Sequence, residues 1–246
     1  MVSSEVWGVE AAARYDDLDS PMFSPEVLGP TVDLLAALAD GGPVLEFAIG
    51  TGRVAVPLAD RGVPVTGIEL SGPMITQLRG KVDEDRIPVV QGDMATTRAP
   101  GSGEFALVYL VFNTISNLLT QDEQVECFAN AARHLRPGGH FLVELGLPDL
   151  RRLPPGQHAV PFEVSERHLG FDTYELVEQR LTSHHVTPDG DGAYRRTRSR
   201  HRYAWPAEMD LMARMAGMRL VRRVADWDGS PYTDDSRATI SVWQRE

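Results

Sequence analysis

The chain of 246 residues has a single cysteine, Cys127, so no disulfide can form within it, which fits a reducing compartment. Cations are scarce: 24 Lys and Arg stand against 35 Asp and Glu, for a formal charge of −11. A surface of that sign repels a phosphate backbone, which places nucleic acid outside the expected partners. Long apolar runs are missing as well. The longest, Phe105 to Phe112, is far too short to span a bilayer. Met1 to Asp19 carries acids and lacks the apolar core of a signal peptide. No repeat and no low-complexity tract occurs, and no His/Cys/Asp cluster has metal-ligand spacing, so no metal is expected. These absences predict one soluble, cytoplasmic domain with no membrane partner, as a monomer or homodimer.

Apolar residues make up 42% of the chain, enough for a packed α/β core. Ser24-Pro25-Glu26 reads as a capped helix start, with the helix running to about Ala39 and stopping at Gly41-Gly42. Strand and helix patterns then alternate, which argues for parallel βαβ units. The predicted strands are Pro43 to Ala48, Val63 to Glu69, Ile87 to Gln91, the apolar run ending near Val111, and His140 to Leu145. Helices are expected at about Arg53 to Arg61, Pro73 to Lys81, and from the Thr120–Glu123 capping box to the turn Arg136-Pro137-Gly138-Gly139. Beyond Leu147 the rhythm changes to two extended stretches, Thr173 to Val186 and Tyr194 to Ala204, joined at Pro188-Asp-Gly-Asp-Gly192 as a hairpin. A helix over Pro206 to Ala216 precedes two antiparallel strands, Met218 to Trp227 and Arg237 to Trp243.

The segment Val44-Leu45-Glu46-Phe47-Ala48-Ile49-Gly50-Thr51-Gly52-Arg53 carries the most information. Glycines at a strand-to-helix turn let the backbone approach a nucleotide-like ligand, and the helix start presents free amides. Gly50-Thr-Gly52-Arg-Val-Ala55 also satisfies G-x-G-x-x-A, which keeps an NAD-dependent oxidoreductase open as an alternative. The surrounding acids separate the two. Glu46 inside the strand end needs a partner, which an ammonium group supplies directly or through water, whereas it repels a pyrophosphate. Glu69 closes the second strand, where ribose hydroxyls would be presented to it. Asp93, in Gln91-Gly92-Asp93-Met94, closes the third, placed to accept from an adenine amino group while Met94 packs on the ring.

These motifs resemble those of the class I S-adenosylmethionine-dependent methyltransferases, whose first motif reads roughly acid-x-G-x-G-x-G. Glu46, Gly50 and Gly52 match, and Ala48 replaces the first glycine. Glu69 matches the ribose-binding acid, Asp93 the adenine-side acid, and Leu135-Arg-Pro-Gly-Gly139 the late motif before strand five. The nearest subset is the bacterial small-molecule methyltransferases, including amino-sugar N-methyltransferases of antibiotic pathways. Ala12-Ala-Arg-Tyr15-Asp16 resembles their N-terminal segment that folds over the cofactor. The resemblance implies a Rossmann-like α/β fold: a seven-stranded, mostly parallel sheet with one antiparallel end strand and a β-rich insertion. It implies a single domain, with residues 1–40 as N-terminal helices or lid, 41–147 as the cofactor-binding core, 148–205 as an insertion covering the acceptor site, and 206–246 as the final helix and strand pair. S-adenosylmethionine would be held by Tyr15, Glu46, Ala48, Gly50, Gly52, Arg53, Glu69, Leu70, Met74, Asp93, Met94 and Val111. The product would be S-adenosylhomocysteine, and the partner a small-molecule acceptor methylated on N, O or C.

Catalytic residues are not assigned from the sequence, which offers no obvious dedicated base. Phe112 and Asn113, after strand four, are candidates to wall the sulfonium and orient the acceptor, or else they simply shape a turn. By two-residue alternation His184 and His185 face opposite ways, so at most one points inward. Arg196, Arg198, Arg200 and Arg202 share one strand face, either to meet an anionic acceptor or as a solvated ladder with Glu178 opposite Arg202. A non-catalytic nucleotide-binding protein is the third reading.

Overall fold

The computed structural model describes residues 8–16, 21–190 and 192–246. Parts of the expected N-terminal lid (1–7 and 17–20) and Asp191 of the hairpin turn lie outside the described residues. After helix α1 (Val9–Tyr15) and helix α2 (Pro25–Ala39) the chain alternates: β1 (Val44–Phe47), α3 (Ala55–Asp60), β2 (Val65–Glu69), α4 (Gly72–Arg79), β3 (Val89–Gln91) and β4 (Phe105–Leu110). Helix α5 (Gln121–His134) and β5 (Leu135–Gly146) follow, then β6 (Ala159–Val164), β7 (Leu169–Glu175), β8 (Arg180–Pro188) and β9 (Tyr194–Arg202). The chain closes with α6 (Pro206–Met215), β10 (Met218–Val224) and β11 (Ala238–Arg245).

Seven strands form one sheet in the order β10-β11-β5-β4-β1-β2-β3. All pair in parallel except β11, the last in the chain, which runs antiparallel to both β5 and β10. Strand order reverses beside β1, whose neighbours are β2 and β4. The crevice at such a reversal, outside the carboxyl ends of the strands, is where open α/β sheets take their ligands.

Apolar side chains cover both faces. Val32, Leu35, Leu58 and Leu78 of α2, α3 and α4 pack on one side, and Phe128, Ala131, Met209 and Met212 of α5 and α6 on the other. The capping box forms as the sequence predicts: Thr120 accepts from Glu123 N–H while Glu123 accepts from Thr120 N–H.

Two elements differ from the sequence expectation. Arg136 to Gly139, read as a turn, belongs to β5, where a register shift lets the two glycines bulge before His140 pairs with Leu107. The stretch Thr173 to Val186 is not one strand. It folds back through Leu176-Val177-Glu178-Gln179, so the insertion is a four-stranded meander, β6-β7-β8-β9. That turn contains no Gly, Pro, Asn or Asp, and Gln179 takes the left-handed backbone (φ 52) that usually marks such residues. The arginine ladder changes accordingly. Arg202 pairs with Arg180, not Glu178, and is buried against Glu208, while Arg196, Arg198 and Arg200 are exposed.

Candidate active site

Between β1 and α3 the backbone turns through Ala48 (φ 52), Gly50 (φ 58) and Gly52 (φ 81). Ala48 thus adopts a conformation that costs a side-chain-bearing residue about 1–2 kcal/mol, which explains the glycine of the related motif at this position. Gly52 is required by packing, because a Cβ there would stand 2.4 Å from Leu78 Cδ1. The Glu69 carboxylate fixes the turn to the end of β2. Its Oε2 accepts from Gly50 N–H (2.8 Å) and its Oε1 from Ser71 N–H (2.7 Å). Burial raises the Glu69 pKa, with these backbone bonds pulling it back. Each oxygen keeps a lone pair for a further donor.

A cleft of about 710 Å³ opens over this turn. It is lined by Ala48, Gly50, Glu69 and Leu70, together with Met74, Asp93, Met94 and Tyr15. These eight residues are brought together as the sequence reading expects. Asp93 is held by a bond from Ala95 N–H to Oδ1 (2.8 Å). Four predicted residues do not line the cleft. Glu46 lies behind it, 3% exposed, where its Oε2 accepts from the Tyr109 hydroxyl (2.9 Å). Burial pushes its pKa up to about 8, against the Tyr109 bond and the Arg53 charge. Gly52 packs on α4, and Val111 is buried in the core. Arg53 donates to Met22 O (3.1 Å) and bonds the Tyr15 hydroxyl, with its guanidinium 5.1 Å from the centre of the Phe112 ring. The cation over Phe112 is therefore a side chain of the protein itself.

The cleft also takes in Ile68, Ser71, Gly92 and Leu118, which sequence reasoning missed. Gly92 alone carried a signal, as a glycine directly after a strand. A Cβ there would lie 2.1 Å from Thr97 Oγ1.

Helix α1 is tied to the turn by polar contacts. Thr51 Oγ1 donates to Asp16 Oδ1 (2.6 Å), and Lys81 Nζ bridges Asp16 Oδ2 (2.5 Å) and Thr51 O (2.8 Å). Tyr15 is thereby held where the first cleft meets a second, larger cavity of about 2100 Å³. Both are lined by Tyr15, Thr114 and Asn117, so they adjoin at these residues. Phe112 and Asn113 border the second cavity, both with left-handed backbone (φ 57 and 59). Phe112 N–H donates to Glu144 Oε2 (2.6 Å), and the Asn113 side-chain oxygen accepts from Gly146 N–H, which locks this bend against β5. The opposite wall is the inner face of the meander, with Phe162, Asp172, Ser183, His185 and His201. His184 points the other way, its ring stacked on Phe171 with centroids 4.6 Å apart, as the alternation requires.

A largely apolar cleft lined by two carboxylates, with no Lys or Arg among the described residues of its lining, suits a cationic nucleoside and offers a pyrophosphate no counter-charge. A family model described as a methyltransferase domain matches residues 44–139. The chain is 36% identical to the CcbJ methyltransferase from Streptomyces caelestis, with 97% of each chain covered and a TM-score of 0.84. It is 28% identical over 243 residues to the cypemycin N-terminal methyltransferase of a Streptomyces species, covering 96% of this chain and 97% of that one. The fold is shared with CalS10, an amino pentose methyltransferase from Micromonospora echinaspora solved with S-adenosylmethionine (TM-score 0.69, 21% identity, 96% of each chain).

This chain belongs to the S-adenosylmethionine-dependent methyltransferases. It is an enzyme of that class, and S-adenosylmethionine is its cofactor. Among the described residues, no helix is long and apolar enough to cross a membrane.

Proposed function

We propose that the enzyme transfers a methyl group to an amine nitrogen of a small molecule, with residues 41–147 holding the cofactor and residues 148–205 covering the acceptor. The adjacency of the two cavities at Tyr15, Thr114 and Asn117 carries this reading. Asp149 and Asp172 border the larger one together with Arg198 and Arg200, so its lining offers a carboxylate to a cationic amine but carries balanced charge. The relatives named for N-terminal and amino-pentose methylation support nitrogen as the target.

Bound S-adenosylmethionine supplies an already activated methyl group on a sulfonium. The protein's share is then chiefly alignment, which alone is worth up to about 7–11 kcal/mol. Glu69 and Asp93 would accept from the ribose and the adenine, while Met74 and Met94 wall the ring. Tyr15, pinned by Arg53 and by the Asp16–Lys81 pair, would exclude water from the junction.

Calorimetric titration with S-adenosylhomocysteine tests the cofactor cleft. Asp93→Asn keeps the acceptor oxygen for Ala95 but turns the other oxygen into a donor, so affinity should fall at least about tenfold with stability unchanged. Unaltered affinity would place Asp93 outside the cofactor site. Mass spectrometry on a panel of amines, phenols and hydroxy acids tests the acceptor, and methylation confined to the oxygen compounds would overturn the amine reading.

A further inference from the structure

Three polar side chains outside the cofactor cleft form a line through the meander. Glu163 Oε2 lies 2.7 Å from His168 Nδ1, and His168 Nε2 lies 2.9 Å from His185 Nδ1. The two imidazole planes are nearly parallel (8°), with centroids 5.0 Å apart, a separation that fits an N–H···N bond between them. Glu163 is 48% exposed and His168 22%, whereas His185 lines the large cavity. The line therefore runs from the cavity to bulk water.

The hydrogen-bond order fixes the tautomers. The Glu163 carboxylate can only accept, so His168 carries its proton on Nδ1. Neutral His168 then accepts at Nε2, and His185 donates from Nδ1. His185 Nε2 is left with a lone pair for the cavity. Packing holds this arrangement. The Phe162 ring lies against both imidazoles (centroids 5.4 Å from His185 and 6.1 Å from His168). Gly170, paired with His185 across β7 and β8, leaves room for that ring, since a Cβ would stand 2.1 Å from it. Asp172, on the same face as His185, accepts from Ser183 Oγ (2.6 Å) and borders the cavity.

The geometry points to His185 as the proton acceptor for an ammonium-bearing substrate, with His168 and Glu163 as positioning residues that pass the proton to solvent. This rests on the amine reading above. Asp172 holds the cation. One N–H bond of the ammonium breaks, its proton joins His185 Nε2, and the electron pair stays on the amine nitrogen as the nucleophile's lone pair. The Nδ1 proton of His185 then moves to His168 Nε2 and that of His168 to Glu163, which exchanges it with water. The groups acting on His185 are His168, Asp172 and Glu163 and, from the opposite face of β8, His184, and His201 stands near it on β9. Burial and the neighbouring imidazole His168 lower its pKa, against Asp172 and Glu163, so it is unprotonated and able to accept near neutral pH.

Two measurements on the full chain decide the matter. In ¹⁵N-histidine-labelled protein at pH 7.5, long-range ¹H–¹⁵N correlation should show His185 as the Nδ1–H tautomer, and an Nε2–H tautomer overturns the relay. This readout needs no acceptor. With an amine that the wild type methylates, His185→Gln should lose about 100-fold in rate at pH 7 and regain it as pH approaches the amine's own pKa. Glu163→Gln should move the acid limb of the wild-type profile to lower pH, because it removes a charge that stabilises the imidazolium. Both variants should bind S-adenosylhomocysteine like the wild type. A loss in His185→Gln that is uniform across pH, or no loss, overturns the assignment. If the wild type methylates no amine, the amine reading fails by itself, and the tautomer still decides the relay.

Discussion

Glu46 is a carboxylate sealed between β1 and β4 with the Tyr109 hydroxyl as its close donor. Burial carries its pKa from the ordinary 4.5 to about 8. Between those values the unfolded chain releases this proton while the folded protein retains it. The stability linked to Glu46 is therefore complete below about pH 4.5 and is lost as pH rises through about 8. Glu46→Gln keeps an acceptor for Tyr109 and cannot ionise. By urea unfolding it should match the wild type at pH 4 and exceed it at pH 8, by an amount on the order of a few kcal/mol. Equal stabilities at pH 8 would mean that Glu46 ionises freely in the fold. The sequence shows that this acid sits in a strand and needs a partner. It does not show that the partner is a tyrosine 63 residues away on the neighbouring strand.

Elements are joined to one another at a partly buried carboxylate. Glu208 at the start of α6 accepts from Arg202 of β9 (2.7 Å), Gln179 of the β7–β8 turn (2.9 Å) and Gln121 of α5 (2.7 Å). Burial alone would raise its pKa, but the three donors outweigh it and the net shift is downward. Its stabilisation is thus present above the unfolded pKa and fades as pH falls through the depressed folded value. Arg202 is 5% exposed, so Glu208→Ala leaves a guanidinium buried without its acid. The expected cost is about 3 kcal/mol in denaturant unfolding. A loss below about 1 kcal/mol would show the pair behaving like a solvated one. At this scale the legible boundaries were those with chemical punctuation, such as the Thr120 cap and Gly217 after α6. The β7–β8 turn was not legible because nothing in Leu176 to Gln179 marks a turn. The partner of Arg202 was missed for a different reason: the β8–β9 hairpin centres one residue beyond Gly190, which sets Arg180 and not Glu178 opposite Arg202.

For the whole molecule, the cofactor cleft is assembled from the ends of β1, β2 and β3, the segment after β4, and α1. Ligand binding should therefore stabilise the fold as a unit. S-adenosylhomocysteine at 100 times its Kd contributes about 2.7 kcal/mol, a rise of roughly 5–10 °C in Tm for a chain of this size. NAD at the same concentration should leave Tm unchanged, and a comparable rise with NAD would overturn the cofactor assignment. What the sequence by itself determined is the alternation of strands and helices, the glycine turn, and the acids that close successive strands. Each of these depends on residues close together in the chain, where periodicity, backbone freedom and capping act directly. Only the tertiary structure decided that Glu46 turns to Tyr109 and that Arg53 covers Phe112. It alone aligned Glu163, His168 and His185 across the meander. Such contacts depend on strand register and on which face a bulge or an unmarked turn presents, and a one-residue slip would send every one of those side chains to the other side.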